Sequence, residues 1–404
     1  MTDTAKATNW LPNIRAIFEF LVVSVSTIAF VFTALGVLGS MLSPNSAGSH
    51  DFVEYWASGH LLVNHANPYD ANALLNLERS AGFPKDAHTL IMGNPPSALL
   101  ITLPLGMVGA KLGEWLWLLL ILGSLLGSVQ LLRSMYALPK GPLRLLGFAF
   151  APALTCLLAG QISLFMLLGL VLFLRWHNNR PFLAGMALWF CLLKPHMFLP
   201  FGAVLLVWIV RSRCYPMLTG ITTALGLRSA TATALDPRVW TEYFEMMAKQ
   251  RLDRLVLPCV SSALRQLVYP HTTWVQSVPA ALGCLWALAY FFKHRNSWNW
   301  IERASVLTLV SVTVAPYAWF FDQAILVPAI LEGSNTTRSR TLIAILALMS
   351  AGIEIASLRG VLLLSPFYLW TAPAWLLWFL FATRGKASKT SVKTPVLSSD
   401  TVTP

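Results

Sequence analysis

The sequence predicts an all-α polytopic membrane protein: a bundle of about twelve transmembrane helices with an external, juxtamembrane helical loop. Three observations predict it. Of 404 residues, 56% are hydrophobic and only 11% charged, where a soluble domain carries about 25% charged residues. Apolar runs recur from end to end, and several approach the roughly 20 residues that a helix needs to cross a bilayer. The 16 Trp and 22 Phe suit a protein with many membrane interfaces, where aromatic rings collect. One membrane-embedded domain is expected over residues 1–383. A basic tail rich in Ser and Thr, 384–404, is expected to be disordered and cytoplasmic.

The net charge of +12 comes from 29 basic and 17 acidic residues. In a soluble chain it would suggest nucleic acid; here basic cytoplasmic loops account for most of it, and no nucleic-acid partner is expected. The five cysteines are scattered without metal-ligand spacing, so no metal site, cofactor or structural disulfide is expected.

Taken in order, Ala16–Gly39 reads as a retained first span rather than a cleaved leader. Residues 41–94 read as an external loop holding a helix from Asp51, an Asn67-Pro68-Tyr69-Asp70 turn and an amphipathic piece over Ala71–Ala81. Pro96–Ala110 is apolar but short and contains Pro104. Glu114–Leu132, Leu145–Ala159, Leu164–Trp176, Phe182–Leu193, Phe198–Val210 and Pro216–Leu235 follow. Residues 236–273 form a second external loop. Trp274–Phe292, Ala304–Phe320, Gln323–Leu331, Leu342–Leu358 and Val361–Ala382 complete thirteen apolar segments. Basic loops at both ends require an even number of crossings, so either one short segment, Pro96–Ala110 or Phe198–Val210, is not a full crossing or the loop over Arg133–Arg144 breaks the charge rule.

The stretch His50–Leu62 carries the most chemistry. As a helix it puts Asp51, Glu54, Tyr55, Ser58 and Leu62 on one face, converging two carboxyls and a phenol at a membrane helix mouth, where acids are costly without a partner. The bland reading is a solvated juxtamembrane helix; the sharp one is a catalytic acid at the membrane surface. Gln161 in a tight Gly-Gln turn, Lys194-Pro195-His196 between two apolar runs, Arg228 within one, and Asp322 after Pro316-Tyr317-Ala318-Trp319 are further polar groups at membrane depth. Glu354 belongs to no such group, and a local pair with Arg359 would explain it. Glycosyl transfer from a lipid-phosphate sugar fits the set. It needs a base for the acceptor hydroxyl, which Asp51 can be. It needs cations at the departing phosphate, for which Lys194 and Arg228 serve. Tyr55, Tyr69, Asn94 and Gln161 can hold sugar, with Glu54, His196 and Asp322 completing the substrate-binding set.

The chain resembles glycosyltransferase family 87, the polyprenyl-phosphate-sugar-dependent, mannosyltransferase-like membrane proteins of the GT-C superfamily. The resemblance rests on D-F-V-E-Y-W-A-S-G-H-L-L (51–62), N-P-Y-D (67–70), N-P-P (94–96), G-Q-I-S (160–163), A-G-M-A-L (184–188), K-P-H (194–196) and A-P-Y-A-W-F-F-D-Q (315–323), in this order. It implies a GT-C-type bundle, an active site facing away from the cytoplasm, and an Asp after the first helix, here Asp51, as catalytic base. Some members carry a His-rich late motif; Phe320 and Phe321 stand there in this chain. The expected activity is transfer of mannose or a related sugar from a polyprenyl-phosphate donor to a lipid or glycan acceptor at the cell membrane, with inversion. The partners are donor, acceptor and membrane lipids. A transporter or flippase of a lipid-linked glycan is the rival, but it would need polar residues lining a path to both faces, and these cluster at one.

Overall fold

The computed structural model describes residues 11–43, 46–136, 142–250, 255–359 and 365–387. They are mostly helical, without a strand among them. The expected disordered tail falls mostly on 388–404, outside the described residues.

α1 (Leu11–Leu42) is the first long helix. Asp51 sits at the N-cap of α2 (Phe52–Val63), and α3 (Ala71–Ser80) follows an NPYD turn whose logic is local. Asn67 Oδ1 accepts from the Tyr69 amide, and Asp70 Oδ1 accepts from the Asn72 and Ala73 amides, satisfying donors that a helix start leaves open. α4 (Leu99–Gly106) packs back on α2. A Cβ on Gly59 would stand 2.2 Å from the Thr102 carbonyl oxygen, and one on Gly106 2.2 Å from the Gly59 carbonyl carbon. Two glycines thus let the α2 and α4 backbones touch.

α5 (Ala110–Met135) leads to α6 (Ala151–Ala159) and α7 (Ser163–Trp176). Between these two, Gly160 takes φ +68°, a left-handed value that glycine adopts freely and that ends α6. α8 (Pro181–Ala187) and α9 (Leu199–Arg211) flank two 3-10 turns over 188–198; the apolar segments Pro181–Leu193 and Pro195–Arg211 meet at 118°. α10 (Tyr215–Leu235) and α11 (Val239–Lys249) precede α12 (Val260–Val268) and α13 (Val278–His294). α14 (Trp300–Thr313), α15 (Val327–Thr336), α16 (Arg340–Leu358) and α17 (Thr371–Ala387) complete the chain.

Phe20–Gly39, Ala110–Met135, Thr273–Ser297 and Arg340–Leu358 are long and apolar enough to cross a membrane. The bent pair makes a fifth if it is one span. The other expected spans are shorter or more polar. Pro96–Gly106 and Ser163–Trp176 are short apolar helices. The stretch expected over Ala304–Phe320 stops its helix at Thr313, and four residues of Val361–Ala382, 361–364, lie outside the described residues. The two loops expected on one side do touch, with the Tyr69 and Tyr243 rings 5.6 Å apart, and His65 Nδ1 of the first lies 2.7 Å from the carbonyl of Leu235, the last residue of α10. Glu354 does not pair locally with exposed Arg359. It accepts from Thr33 of α1 at 2.6 Å and Thr155 of α6 at 3.5 Å, pinning three helices together.

Candidate active site

Four short stretches converge. They are the N-terminus of α2, the 160–163 turn, the break at 194–196, and residues 317–322 ahead of α15.

Gln161 joins the first two. Its Nε2 donates to Asp51 Oδ2 at 2.6 Å, and its Oε1 accepts from the Tyr55 hydroxyl at 2.9 Å. Tyr55 stacks on Trp117 with centroids 4.9 Å apart, and Trp117 Nε1 donates to the Gly160 carbonyl at 2.7 Å. The Asp51 amide donates to the Ala159 carbonyl at 3.0 Å. The left-handed turn is therefore tied to α2 from both ends, and the amide of Gln161 is held in one orientation.

Asp322 joins the other two. It is fully buried. Its Oδ1 accepts from Lys194 Nζ at 2.7 Å and from Ser163 Oγ at 2.6 Å, and its Oδ2 accepts from the Trp319 amide at 3.0 Å. Lys194 thus has a carboxylate partner and is not an unpaired cation awaiting phosphate; it also lies 5.2 Å from the Phe321 ring centroid. A buried carboxylate with three donors is fully met, as burial of charge requires. His196 packs edge-on against Tyr317 at 5.5 Å, and its Nε2 is buried without a hydrogen bond to any described residue.

Lys194 is within electrostatic reach of Asp51 and Glu54. Burial pushes the Asp51 carboxyl above its ordinary value, opposed by the Gln161 hydrogen bond and by the Lys194 and His50 charges. Glu54 is pushed up to about 8, first by burial and then by the Asp51 carboxylate one turn away. Among the described residues no group of three His, Cys, Asp or Glu is arranged to hold a metal ion.

Asn94 reaches the edge of this cluster. Its Nδ2 donates to the Leu193 carbonyl at 2.6 Å, beside Lys194, and its own carbonyl accepts from Tyr69 at 3.2 Å. Arg228 makes its contacts elsewhere. Its guanidinium lies 3.7 Å from the Trp189 ring centroid and donates to Ala224 of its own helix at 3.2 Å. Sequence reasoning gave no role to Ser163, Tyr317 or Trp319, although all three lie in the quoted motifs. A hollow of about 540 Å³ at Arg79–Lys85 takes in none of the cluster.

Comparison with curated proteins finds no match, and neither does comparison with solved structures. The model of glycosyltransferase family 87 matches residues 93–324, more than half of the 404. The match takes in Asn94, Gln161, Lys194, His196, Arg228 and Asp322; Asp51, Glu54, Tyr55 and Tyr69 precede it. An all-helical chain with several membrane-length apolar helices, four polar stretches gathered at one site, and this match over most of its middle belongs to glycosyltransferase family 87 and is a membrane glycosyltransferase.

Proposed function

We propose that the protein moves a sugar, mannose or a related hexose or pentose, from a polyprenyl-phosphate donor to a lipid or glycan acceptor. The reaction takes place on the extracytoplasmic side of the cell membrane, in one GT-C-type domain over residues 1–383 with about twelve crossings. The observation that carries the reading is the grip of Gln161 on Asp51. One carboxylate oxygen is fixed by the amide, leaving the other for an acceptor hydroxyl, in a setting where burial raises the basicity of Asp51.

In the step, the acceptor oxygen bonds to the anomeric carbon as its proton passes to Asp51. The bond from that carbon to the phosphate oxygen breaks, its electron pair leaves on the phosphate, and the anomeric configuration inverts. Negative charge grows on the departing phosphate, where fixed donors are worth most. Lys194, oriented by Asp322, has N–H groups beyond the one spent on Oδ1, and His196 Nε2 is unmatched. Tyr69 and Asn94 flank the sugar. Arg228, stacked on Trp189, serves the substrate less directly.

The test incubates membranes with radiolabelled polyprenyl-phosphate sugars and compares wild type with Asp51→Asn. General-base contributions are about 10²–10⁴-fold, so turnover falls by at least ~10²-fold while donor affinity changes little. Glu54→Gln costs less. Near-normal turnover in Asp51→Asn removes it as the base, and a larger loss in Glu54→Gln moves the role there.

A further inference from the structure

α12 is built inside out for a helix in water. Three of its four polar residues face the protein and are buried, Ser261, Ser262 and Arg265, and the fourth, Gln266, is half-buried beside them. Each of the three is bonded there. Ser261 Oγ donates to the Val314 carbonyl at 3.1 Å, and Ser262 Oγ accepts from the Leu257 amide at 3.0 Å. Arg265, fully buried, donates to the carbonyls of Leu255 at 2.6 Å and Pro270 at 2.7 Å. The other face carries Val260, Ala263, Leu264, Leu267 and Val268, the spacing of one helical stripe. It points outward, with Leu267 85% and Val268 60% exposed.

The neighbours continue this face. Leu255, Val256, Tyr269 and Trp274 are all exposed. A helix surrounded by water would turn the other way, since exposed apolar area costs about 25 cal/mol per Å². Five residues after α12 the chain enters Thr273–Ser297, one of the helices long enough to span the bilayer, and Trp274 stands at its mouth, 67% exposed, as aromatic rings do at a membrane interface.

We infer that residues 255–274 form a lip immersed in the bilayer on the side of the active site, with the apolar stripe of α12 lying against lipid chains. The partner is the lipid surface itself. The polar inner face accounts for the direction of immersion, and the continuity with the span accounts for its depth. The lip is fastened to the site. Beside the Ser261 bond, Gln276 Nε2, two residues past the lip, donates to the Pro316 carbonyl at 2.6 Å, so bonds within the lip and just after it hold the 314–316 stretch that leads to Trp319 and Asp322. A substrate whose anchor lies among lipid chains thus meets the site through protein that is itself in the lipid.

Spin labelling tests this. Leu267→Cys and Val268→Cys, each in a Cys214→Ser, Cys284→Ser background, are labelled with a nitroxide in lipid nanodiscs. Collision with oxygen is compared with collision with a water-soluble nickel chelate. Leu119→Cys on the exposed face of α5 is the hydrocarbon reference, and Asn76→Cys on α3 the water reference. Both lip labels are expected to give an oxygen-to-nickel ratio several-fold above that of Asn76→Cys and close to that of Leu119→Cys. A ratio like that of Asn76→Cys overturns the inference. So does a label screened from both reagents. If dipolar broadening then disappears on dilution with unlabelled protein, a second copy of the chain covers the face.

Discussion

Replacing Gln161 by Leu is the most searching test of how the site works, because the side chain touches Asp51 and Tyr55 and nothing else in the hydrogen-bond network. Its Nε2 gives the Asp51 carboxylate a 2.6 Å hydrogen bond, and that bond favours the ionised form. A hydrogen bond to a charged group is worth about 1.5–3 kcal/mol, and 1.36 kcal/mol corresponds to one pH unit of titration. We predict that the acid limb of the kcat/KM profile moves up by about one to two pH units. Activity at a fixed pH below the limb then falls by about 10–100-fold. The charges that act on Asp51, those of Lys194 and His50, are unchanged. Tyr55→Phe should move the limb in the same direction but less, since it only frees the amide to turn. The assay is transfer from a labelled polyprenyl-phosphate sugar across pH, with folding checked by thermal melting. An unmoved limb in well-folded Gln161→Leu would refute the reasoning, whereas an active Asp51→Asn would refute the assignment of the base instead.

Three other outcomes follow from the geometry. Removing either partner of the buried Lys194–Asp322 pair leaves a lone buried charge and is expected to cost about 3–5 kcal/mol, whereas the double variant Lys194→Met, Asp322→Leu melts above both singles; additive losses in a melting cycle would contradict this. Glu54 holds its proton up to about 8 when folded, against 4.5 ordinarily, so between those values the folded state binds more protons and its stability falls as pH rises; Glu54→Gln should flatten that slope, and an unchanged slope would count against the buried neutral acid. Gly59→Ala drives a methyl into the Thr102 carbonyl and is expected to cost at least about 1–3 kcal/mol despite better helix propensity; a melt at the wild-type temperature would show that α2 and α4 can part without loss.

Much of the architecture around α2 and α3 was legible because it is local. The NPYD turn and the start of α3 follow from Asn and Asp bonding their own backbone. The convergence of Asp51, Glu54 and Tyr55 follows from helical spacing, and the Gly-Gln turn from a left-handed glycine. The pairing of Lys194 with Asp322 was not legible, since 128 residues separate them and no local pattern marks either as the partner of the other. Glu354 failed for the same reason: a nearby Arg359 looked sufficient, while its partners on α1 and α6 lie far away in sequence. The number of crossings was harder to read, because apolar runs such as Pro96–Gly106 and Pro181–Leu193 are short, and hydropathy cannot tell a half-buried short helix from a full crossing.

The cluster gathers three carboxyls, Asp51, Glu54 and Asp322, around one ammonium, Lys194. Carboxyls outnumber the ammonium before any ligand arrives, and Glu54 adds no charge as long as it keeps its proton, up to about 8. An anionic donor entering such a space meets that charge, and the proton on Glu54 keeps the opposition from growing. Above about 8, where Glu54 loses its proton, the site gains a further negative charge, and affinity for an anionic donor is expected to decline as the medium turns alkaline even where the base is fully competent. The enzyme would work best in a window closed on one side by protonation of Asp51 and on the other by release of the proton that lets the anion in.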